Sequence, residues 1–557
     1  MTSPVRTPSD TVQAERLRPG DLHPFVGTDM WQLLATRART HAGRPFLVWQ
    51  PFDREPSTLT FDQLARESAS VAAGLATHGV SAGDRVLIHL DNCPEFVVAW
   101  FACIALGAVA VTTNTRSAPD ELAYYAQDCA AVGAITQPKY ASMVGTAAPG
   151  LRFVVSIGHD GGVPADLPAG AQPLDVLRGD PSEVPGRATD PLAPCSVQYT
   201  SGTTSRPKGV LWTHANALWG ARYNAGNETL RSDDCHLVYL PLFHTNALAY
   251  SMLASLWVGA RFVLTPKWST SRFAEISVRH GCTWLSLMGL TTRALMQAEP
   301  PPGHSYRLFG SGMCDLPLDE PYGIKTVGWW GMTETISHPI VGDAHVPSRP
   351  MAMGRPNPLY GIKVVGPDGA PVEPGETGEL LVRGIRGLSL FAEYLNRPDA
   401  TAESFDAQGW FHTGDLVVPH ACGHLSFENR AKDMLKVGAE NVSSAEVERV
   451  IIEVPGVVEA ALVGRPDAGL DEVPVAFVLT STDDPAVIAR IEDACAQRLA
   501  DFKRPRAVYR VATFPRSTLN KVNKVELRAV VEPDADRDAA VKRWIEEAAT
   551  DPSGDDG

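Results

Sequence analysis

The sequence predicts an α/β protein made of more than one domain, and three observations carry that reading. A chain of 557 residues is too long for a single hydrophobic core. Its N-terminal part alternates strand and helix patterns at the spacing of parallel βαβ units. Beyond residue 430 the pattern changes to strand, strand, helix, enough for a small α+β domain.

The elements follow in chain order. Residues 1–27 are rich in Pro, Ser, Thr and Arg without periodicity and read as a mobile tail. Trp31, Leu33, Leu34 and Ala38 have helical spacing, and 61–79 repeats it with Leu64, Val71 and Leu75 on one face. Val86 and Ile88 mark 84–90 as an alternating strand. The longest apolar run, 96–111, falls short of the roughly 20 residues that span a bilayer. With Pro94 in a first turn, it reads as a buried helix running into a strand at 108–112. Strands at 131–136 and 153–157 continue the alternation, and the Pro/Gly/Asp-rich stretch 164–194 is loop. Later strands are expected at 360–365 and 378–382, joined by turns. The C-terminal pattern is strand 457–464, strand 474–479, helix 486–499, then an acidic tail.

Composition excludes several classes. Hydrophobic content of 44% and charged content of 20% are those of a soluble globular protein. A net charge of −15 with no long basic run argues against nucleic acid. The N-terminus lacks a basic region followed by an apolar run, so neither a signal peptide nor a membrane span is expected. Nine scattered cysteines without a Cys-x-x-Cys pair read as reduced cytoplasmic thiols.

The densest chemistry lies at 199–209, Tyr-Thr-Ser-Gly-Thr-Thr-Ser-Arg-Pro-Lys-Gly. Gly202 lets successive N–H groups face one concavity, the hydroxyls of Thr200, Ser201, Thr203 and Thr204 add donors, and Lys208 adds a mobile positive charge. Such a loop holds a polyphosphate. It is not the ordinary P-loop, because Lys208 is followed by Gly209 and Val210. A Ser/Thr/Gly-rich linker is the plain alternative, but linkers rarely carry Lys-Gly before an apolar segment.

Further along, a strand ending at Pro241 leaves His244 on a turn, with Asn246 beside it. A lone histidine is more often structural than functional. At 308–317 a strand breaks at glycines, and backbone near Ser311, Gly312 and Met313 could approach a flat ring. In 328–335, Trp330 offers a stacking face, Thr333 a donor to phosphate and Glu334 a hard oxygen ligand for Mg²⁺. Asp415, in Gly-Trp-Phe-His-Thr-Gly-Asp-Leu, has two oxygens suited to a cis-diol.

Together these motifs resemble those of the adenylate-forming superfamily, which includes acyl- and aryl-CoA ligases, firefly-type luciferases and peptide-synthetase adenylation domains. The runs Thr-Ser-Gly-Thr-Thr-Ser-Arg-Pro-Lys-Gly and Gly-Met-Thr-Glu-Thr-Ile are most similar to the carnitine/crotonobetaine-type and related acyl-CoA ligases. The resemblance implies a large N-terminal domain of stacked α/β subdomains over 28–429. A small mobile α+β lid over 430–530, hinged near Lys432, and a tail at 531–557 would complete the chain. It implies a catalytic lysine at Lys521, preceded by Asn520 where the family usually has glycine, and a nucleotide-contacting Arg430. His244 would gate the acyl tunnel, and Gly438 would lie beside the thiol tunnel. Glycine at 331 would leave the acyl pocket open to an acid larger than propionate, with an aryl or aryl-propenoic acid favoured.

The activity so implied is ATP- and Mg²⁺-dependent activation of a small carboxylic acid as acyl-AMP, then thioester formation with coenzyme A. The alternatives are the same adenylation with another acceptor (an amine, a carrier-protein thiol, nitrite) and a non-catalytic nucleotide or acyl sensor. Neither nucleic acid nor membrane is an expected partner. The oligomeric state stays open, a homodimer included.

Overall fold

The computed structural model describes residues 16–117, 119–200, 207–430, 433–437, 440–467, 470–481, 484, 486–499, 501–516 and 522–531. Two large, mostly parallel sheets dominate it. One has eight strands in the order 393–394, 208–213, 194–200, 109–112, 85–89, 133–136, 153–156, 172–173. The other has nine, in the order 355–356, 340–341, 325–330, 308–311, 284–286, 235–238, 261–264, 45–49, 57–60.

Local sequence explains the helices of the shared core. Helix Phe61–Thr77 starts with a reciprocal cap: the Thr60 hydroxyl accepts from the Gln63 N–H, and the Gln63 side chain accepts from the Thr60 N–H. Helix Pro94–Leu106 opens with proline and closes on Gly107 at φ 79°, a left-handed turn that suits glycine. Its residues from Phe96 to Leu106 are all buried, and the chain returns as the buried strand Val109–Thr112. The long apolar run is thus a core helix and strand, and no described helix is long and apolar enough to cross a membrane.

Residues 361–430 add a four-stranded antiparallel sheet in the order 361–365, 378–383, 411–419, 425–430. The C-terminal α+β unit has a separate sheet in which strands 457–467 and 471–480 pair antiparallel and strand 507–511 joins parallel to 471–480. Helices Ser444–Ile452 and Ala486–Arg498 cover one face through Val447, Ile451 and Ile491, and Leu527 of helix Lys524–Val531 packs on the other. Within this unit Lys524 pairs with Glu448 at 2.7 Å, and Glu448 accepts the Leu462 N–H.

Two local expectations change. Residues 16–27, assigned to the tail, pack on the body: Leu17 and Phe25 are buried, the Leu17 N–H donates to the Arg386 carbonyl, and the Phe25 ring meets Trp257 edge-on. Apolar side chains spaced without period give no signal for such a strap. The strand expected to reach Pro241 ends at Val238. The chain then turns and enters a π-helix at Asn246–Leu253, a wide-turn geometry that concentrates at functional sites.

Gly74, inside helix Phe61–Thr77, is where the Leu177 backbone touches that helix: a Cβ there would stand 1.7 Å from the Leu177 carbonyl oxygen. Alanine in an open helix would stabilise by up to about 1 kcal/mol. Here the sign reverses, and we expect Gly74→Ala to destabilise by about 3 kcal/mol in urea unfolding followed by tryptophan fluorescence.

Candidate active site

The sheets deliver the functional side chains to one region. In the nine-stranded sheet, strands Cys235–Val238, Trp284–Ser286, Leu308–Ser311 and Lys325–Trp330 run parallel. His244, Ser286, Ser311 and Trp330 therefore follow or close the carboxyl ends of neighbouring strands, where open α/β sheets bind ligands. In the eight-stranded sheet, Thr200 pairs with Lys208 across an antiparallel hairpin, and Val210 pairs with Tyr394 on the next strand. Residues 201–206, which include Ser201, Gly202, Thr203 and Thr204, lie outside the described residues.

Lys208 and Glu334 are joined through a residue that the sequence reading did not single out. The Lys208 ammonium stands 4.6 Å from the centre of the Tyr394 ring, and the Tyr394 hydroxyl donates to Glu334 Oε1 at 2.9 Å. Burial, reinforced by the negative Glu334, pushes the Tyr394 phenol far up, so Tyr394 keeps its proton and acts as donor. The Glu334 carbonyl is fixed by the Phe391 N–H at 2.8 Å. A cation, a phenol and a buried carboxylate are thus aligned from three distant stretches of sequence.

A second link joins Trp330 to Asp415. The Trp330 indole Nε1–H donates to Asp415 Oδ2 at 2.8 Å, and both side chains are buried. The Asp415 N–H donates to the Thr413 hydroxyl, and Asp415 pairs in register with Arg430 on the adjacent strand. Ser311 is buried at its strand end, while nothing lies within 4 Å of a Cβ placed on Gly312, so backbone there is open to close approach. Met313 is half-buried beside it.

A third link crosses toward the acyl side. The Thr245 hydroxyl donates to Gln198 Oε1 at 2.6 Å, and its oxygen lies 3.2 Å from the Thr333 hydroxyl, from which it can accept. The Thr333 carbonyl accepts the Trp212 indole N–H at 2.9 Å. His244 is half-buried on its turn, its N–H donating to the Pro241 carbonyl and its ring against Phe243. Asn246 Oδ1 accepts the Ser286 hydroxyl at 2.9 Å. Gly331 is not simply open: a Cβ there would lie 2.6 Å from both the Tyr250 hydroxyl and the Ser337 carbonyl. Glycine is needed at 331 because Tyr250 fills the space that a side chain would take.

Tyr394, Gln198, Trp212 and Tyr250 carried no motif signal, since each matters through a tertiary contact. Lys432, Gly438, Asn520 and Lys521 lie outside the described residues, as does the side chain of Arg430. No group of three His, Cys, Asp or Glu that could hold a metal occurs among the described residues.

Trp330→Phe keeps an aromatic face and removes the indole donor to Asp415. A hydrogen bond to a charged group is worth about 1.5–3 kcal/mol, so AMP affinity should fall by about tenfold to a hundredfold in calorimetric titration.

Comparison with known proteins fits this geometry. A family model described as AMP-binding enzyme matches residues 34–395, and one for the AMP-binding enzyme C-terminal domain matches 446–521. The crotonobetaine/carnitine–CoA ligase of Salmonella arizonae is 30% identical over 524 residues, covering 90% of this chain and 99% of the relative. The crystal structure of the anthranilate CoA ligase AuaEII with anthranoyl-AMP superposes with a TM-score of 0.81 at 27% identity, covering 93% of this chain and 99% of that one. The o-succinylbenzoate CoA synthetase MenE of Bacillus subtilis, with ATP and magnesium, gives 0.77 at 30% identity, covering 89% and 98%. The chain belongs to the AMP-binding enzyme family, in the acid–CoA ligase branch of the adenylate-forming superfamily.

Proposed function

We propose that this protein, an AMP-forming acid–CoA ligase, activates a carboxylic acid larger than propionate, an aryl or aryl-propenoic acid, as its acyl-AMP and passes the acyl group to coenzyme A. The observation that supports the reading is the Lys208–Tyr394–Glu334 alignment, in which one phenol bridges a cation suited to phosphate and a carboxylate suited to a metal. Aryl acids are favoured because the named relatives include ligases for anthranilate and o-succinylbenzoate. The same relatives include crotonobetaine/carnitine ligases, so a compact acid is the competing class.

In the first step the substrate carboxylate attacks the α-phosphorus of ATP, an acyl–phosphate bond forms and pyrophosphate leaves. Catalysis of this kind is positioning plus stabilisation of charge on the transferring centre. Lys521 bridges the carboxylate and the α-phosphate. The loop from Thr200 to Lys208 receives the leaving pyrophosphate, with Ser201, Gly202, Thr203 and Thr204 as donors. Thr333 donates to phosphate. Asp415 accepts the ribose hydroxyls, held by Trp330, and backbone at Ser311, Gly312 and Met313 flanks the adenine. Arg430 contacts the nucleotide.

Glu334 would hold Mg²⁺. A buried carboxylate is the hard oxygen donor this ion prefers, and the Tyr394 hydroxyl fixes its orientation. When bound, the ion supplies neutralisation of phosphate charge.

In the second step the C-terminal unit (430–530) turns about Lys432, withdraws Lys521 and opens a thiol path near Gly438. The coenzyme A thiolate attacks the acyl carbonyl, the acyl–phosphate bond breaks and AMP leaves with the electron pair. His244 gates the acyl side.

The test is pyrophosphate release with MgATP over aryl, cinnamic-type and aliphatic acids, with and without coenzyme A, in the wild type, Lys521→Ala and Lys432→Pro. Wild type should release pyrophosphate and form a thioester. Lys521→Ala should lose acyl-AMP formation by about 10²–10³-fold or more. Lys432→Pro should slow thioester formation selectively, and equal loss of both half-reactions would refute the hinge. Product formed only with an amine, a carrier thiol or nitrite would replace coenzyme A as acceptor, and no release with any acid would overturn the ligase reading. Tyr394→Phe keeps the ring beneath Lys208 and removes the donor to Glu334. Half-maximal pyrophosphate release should then need about tenfold more Mg²⁺.

A further inference from the structure

Near Gly331 lies a stack of aromatic rings. Trp284 and Trp329 are parallel at 5.6 Å, Trp329 and His338 at 4.6 Å, and His236 flanks Trp284 at 4.8 Å. Tyr250 meets His338 edge-on at 4.2 Å. Gly310 makes the stack possible, since a Cβ there would collide with both Trp329 and Trp284. The Tyr250 hydroxyl is the group that abuts Gly331, so this stack is continuous with the side assigned to the acyl group.

Around the stack, buried polar atoms take no hydrogen bond from the described residues. They are both carboxyl oxygens of Glu228, both ring nitrogens of His236, His338 Nε2 and Asn224 Oδ1. All four side chains are fully or almost fully buried. Backbone and ring contacts bring them to the stack: Asn224 Nδ2 donates to the Ile336 carbonyl, the Glu228 N–H donates to the Asn224 carbonyl one helical turn back, the Trp284 indole donates to the Glu228 carbonyl, and His236 and His338 pack on Trp284 and Trp329. Native interiors rarely leave such groups unsatisfied, and each lost partner is costly. Four such side chains in one neighbourhood, converging from a helix end, a strand and a turn, form a set built to be completed by something else.

We propose that these groups are the far wall of the acyl pocket and select an acid bearing a neutral hydrogen-bonding group, a hydroxyl or an arylamine, at the end remote from its carboxylate. The inference rests on the ligase reading above. The aromatic stack supplies a flat apolar wall for the body of the acid, and Glu228 with His338 supplies donors and acceptors at its tip. The chemistry is consistent: burial drives the Glu228 carboxyl well up and keeps it protonated, and drives His236 and His338 down to about 3, so the wall is uncharged at neutral pH. A pocket built to hydrogen-bond a substrate hydroxyl strongly rejects the analogue lacking it, because its own polar groups then stay unsatisfied.

The test compares kcat/KM for pyrophosphate release between matched acids: 4-hydroxycinnamic against cinnamic acid, 4-aminobenzoic against benzoic acid, with 4-(trimethylammonio)butanoic acid as a cationic control. The wild type should prefer the hydroxyl or amino member of each pair by about a hundredfold. Glu228→Leu removes the carboxyl at similar volume, and His338→Phe keeps the ring on Trp329. Each should reduce that preference at least tenfold while leaving the KM for ATP unchanged. Wild-type preference for the unsubstituted acids would overturn the polar wall while leaving the ligase standing. So would preference for the cationic acid alone, or equal loss for all acids in both variants. No release with any acid would overturn both.

Discussion

The site depends on one register: the antiparallel pairing of strand Lys208–Thr213 with strand Glu393–Tyr394, which sets Val210 opposite Tyr394. A one-residue slip in a strand turns every side chain to the other face. Here a slip would remove the Tyr394 ring from beneath Lys208 and its hydroxyl from Glu334 together. Backbone bonds lock the pairing on both sides, since the Ala392 N–H donates to the Leu211 carbonyl and the Leu395 N–H to the Gly209 carbonyl. The phenol can serve both charges because its face attracts a cation while its hydroxyl donates to an anion. Burial keeps that hydroxyl protonated, so the geometry survives across the working pH range.

The same logic of shared partners runs through the rest of the site. Thr333 belongs to a chain of hydroxyls that includes Thr245 and ends on Gln198, so a phosphate-side donor and the turn carrying His244 are positioned by one network. Trp330 and Asp415 tie the nine-stranded sheet to the antiparallel sheet. Such networks hold side chains in fixed orientation before a ligand arrives, which is where electrostatic stabilisation gains its effect.

What was legible in the sequence follows from this. Glu334, Lys208 and Asp415 could be singled out because they stand in motifs that resemble those of the adenylate-forming superfamily, whereas a Gly-Asp turn alone would be mere punctuation. The helix from Pro94 was readable because an apolar run with proline at one end and glycine at the other has a local cause. Tyr394, Gln198 and Tyr250 were not readable, because their neighbours come from residues about 50 to 190 positions away and leave no period in the chain. The strap at 16–27 escaped for a similar reason: two buried apolar side chains, Leu17 and Phe25, decide its path, and neither belongs to a repeating pattern. The C-terminal unit was legible as strands and a helix, since its paired strands 457–467 and 471–480 are apolar over most of their length.

Gly331 shows how a correct residue can be explained by the wrong cause. Taken alone, glycine implies room. In the fold it marks contact, because the π-helical turn at Asn246–Leu253 carries the Tyr250 hydroxyl to within 2.6 Å of where a Cβ would stand. Gly310 makes the same point on the neighbouring strand, where it admits the Trp284–Trp329 stack. The two glycines therefore build walls rather than openings. In the proposed function, the size and polarity of the acyl side are set by the side chains that the glycines admit: Tyr250, Trp329 and, through the stack, His338. A wider π-helical turn is the backbone device that brings Tyr250 inward while Asn246, at its start, stays bonded to Ser286. In the proposed function, selectivity rests on these side chains, one layer behind the motif, and steric contact is what requires glycine at 310 and 331.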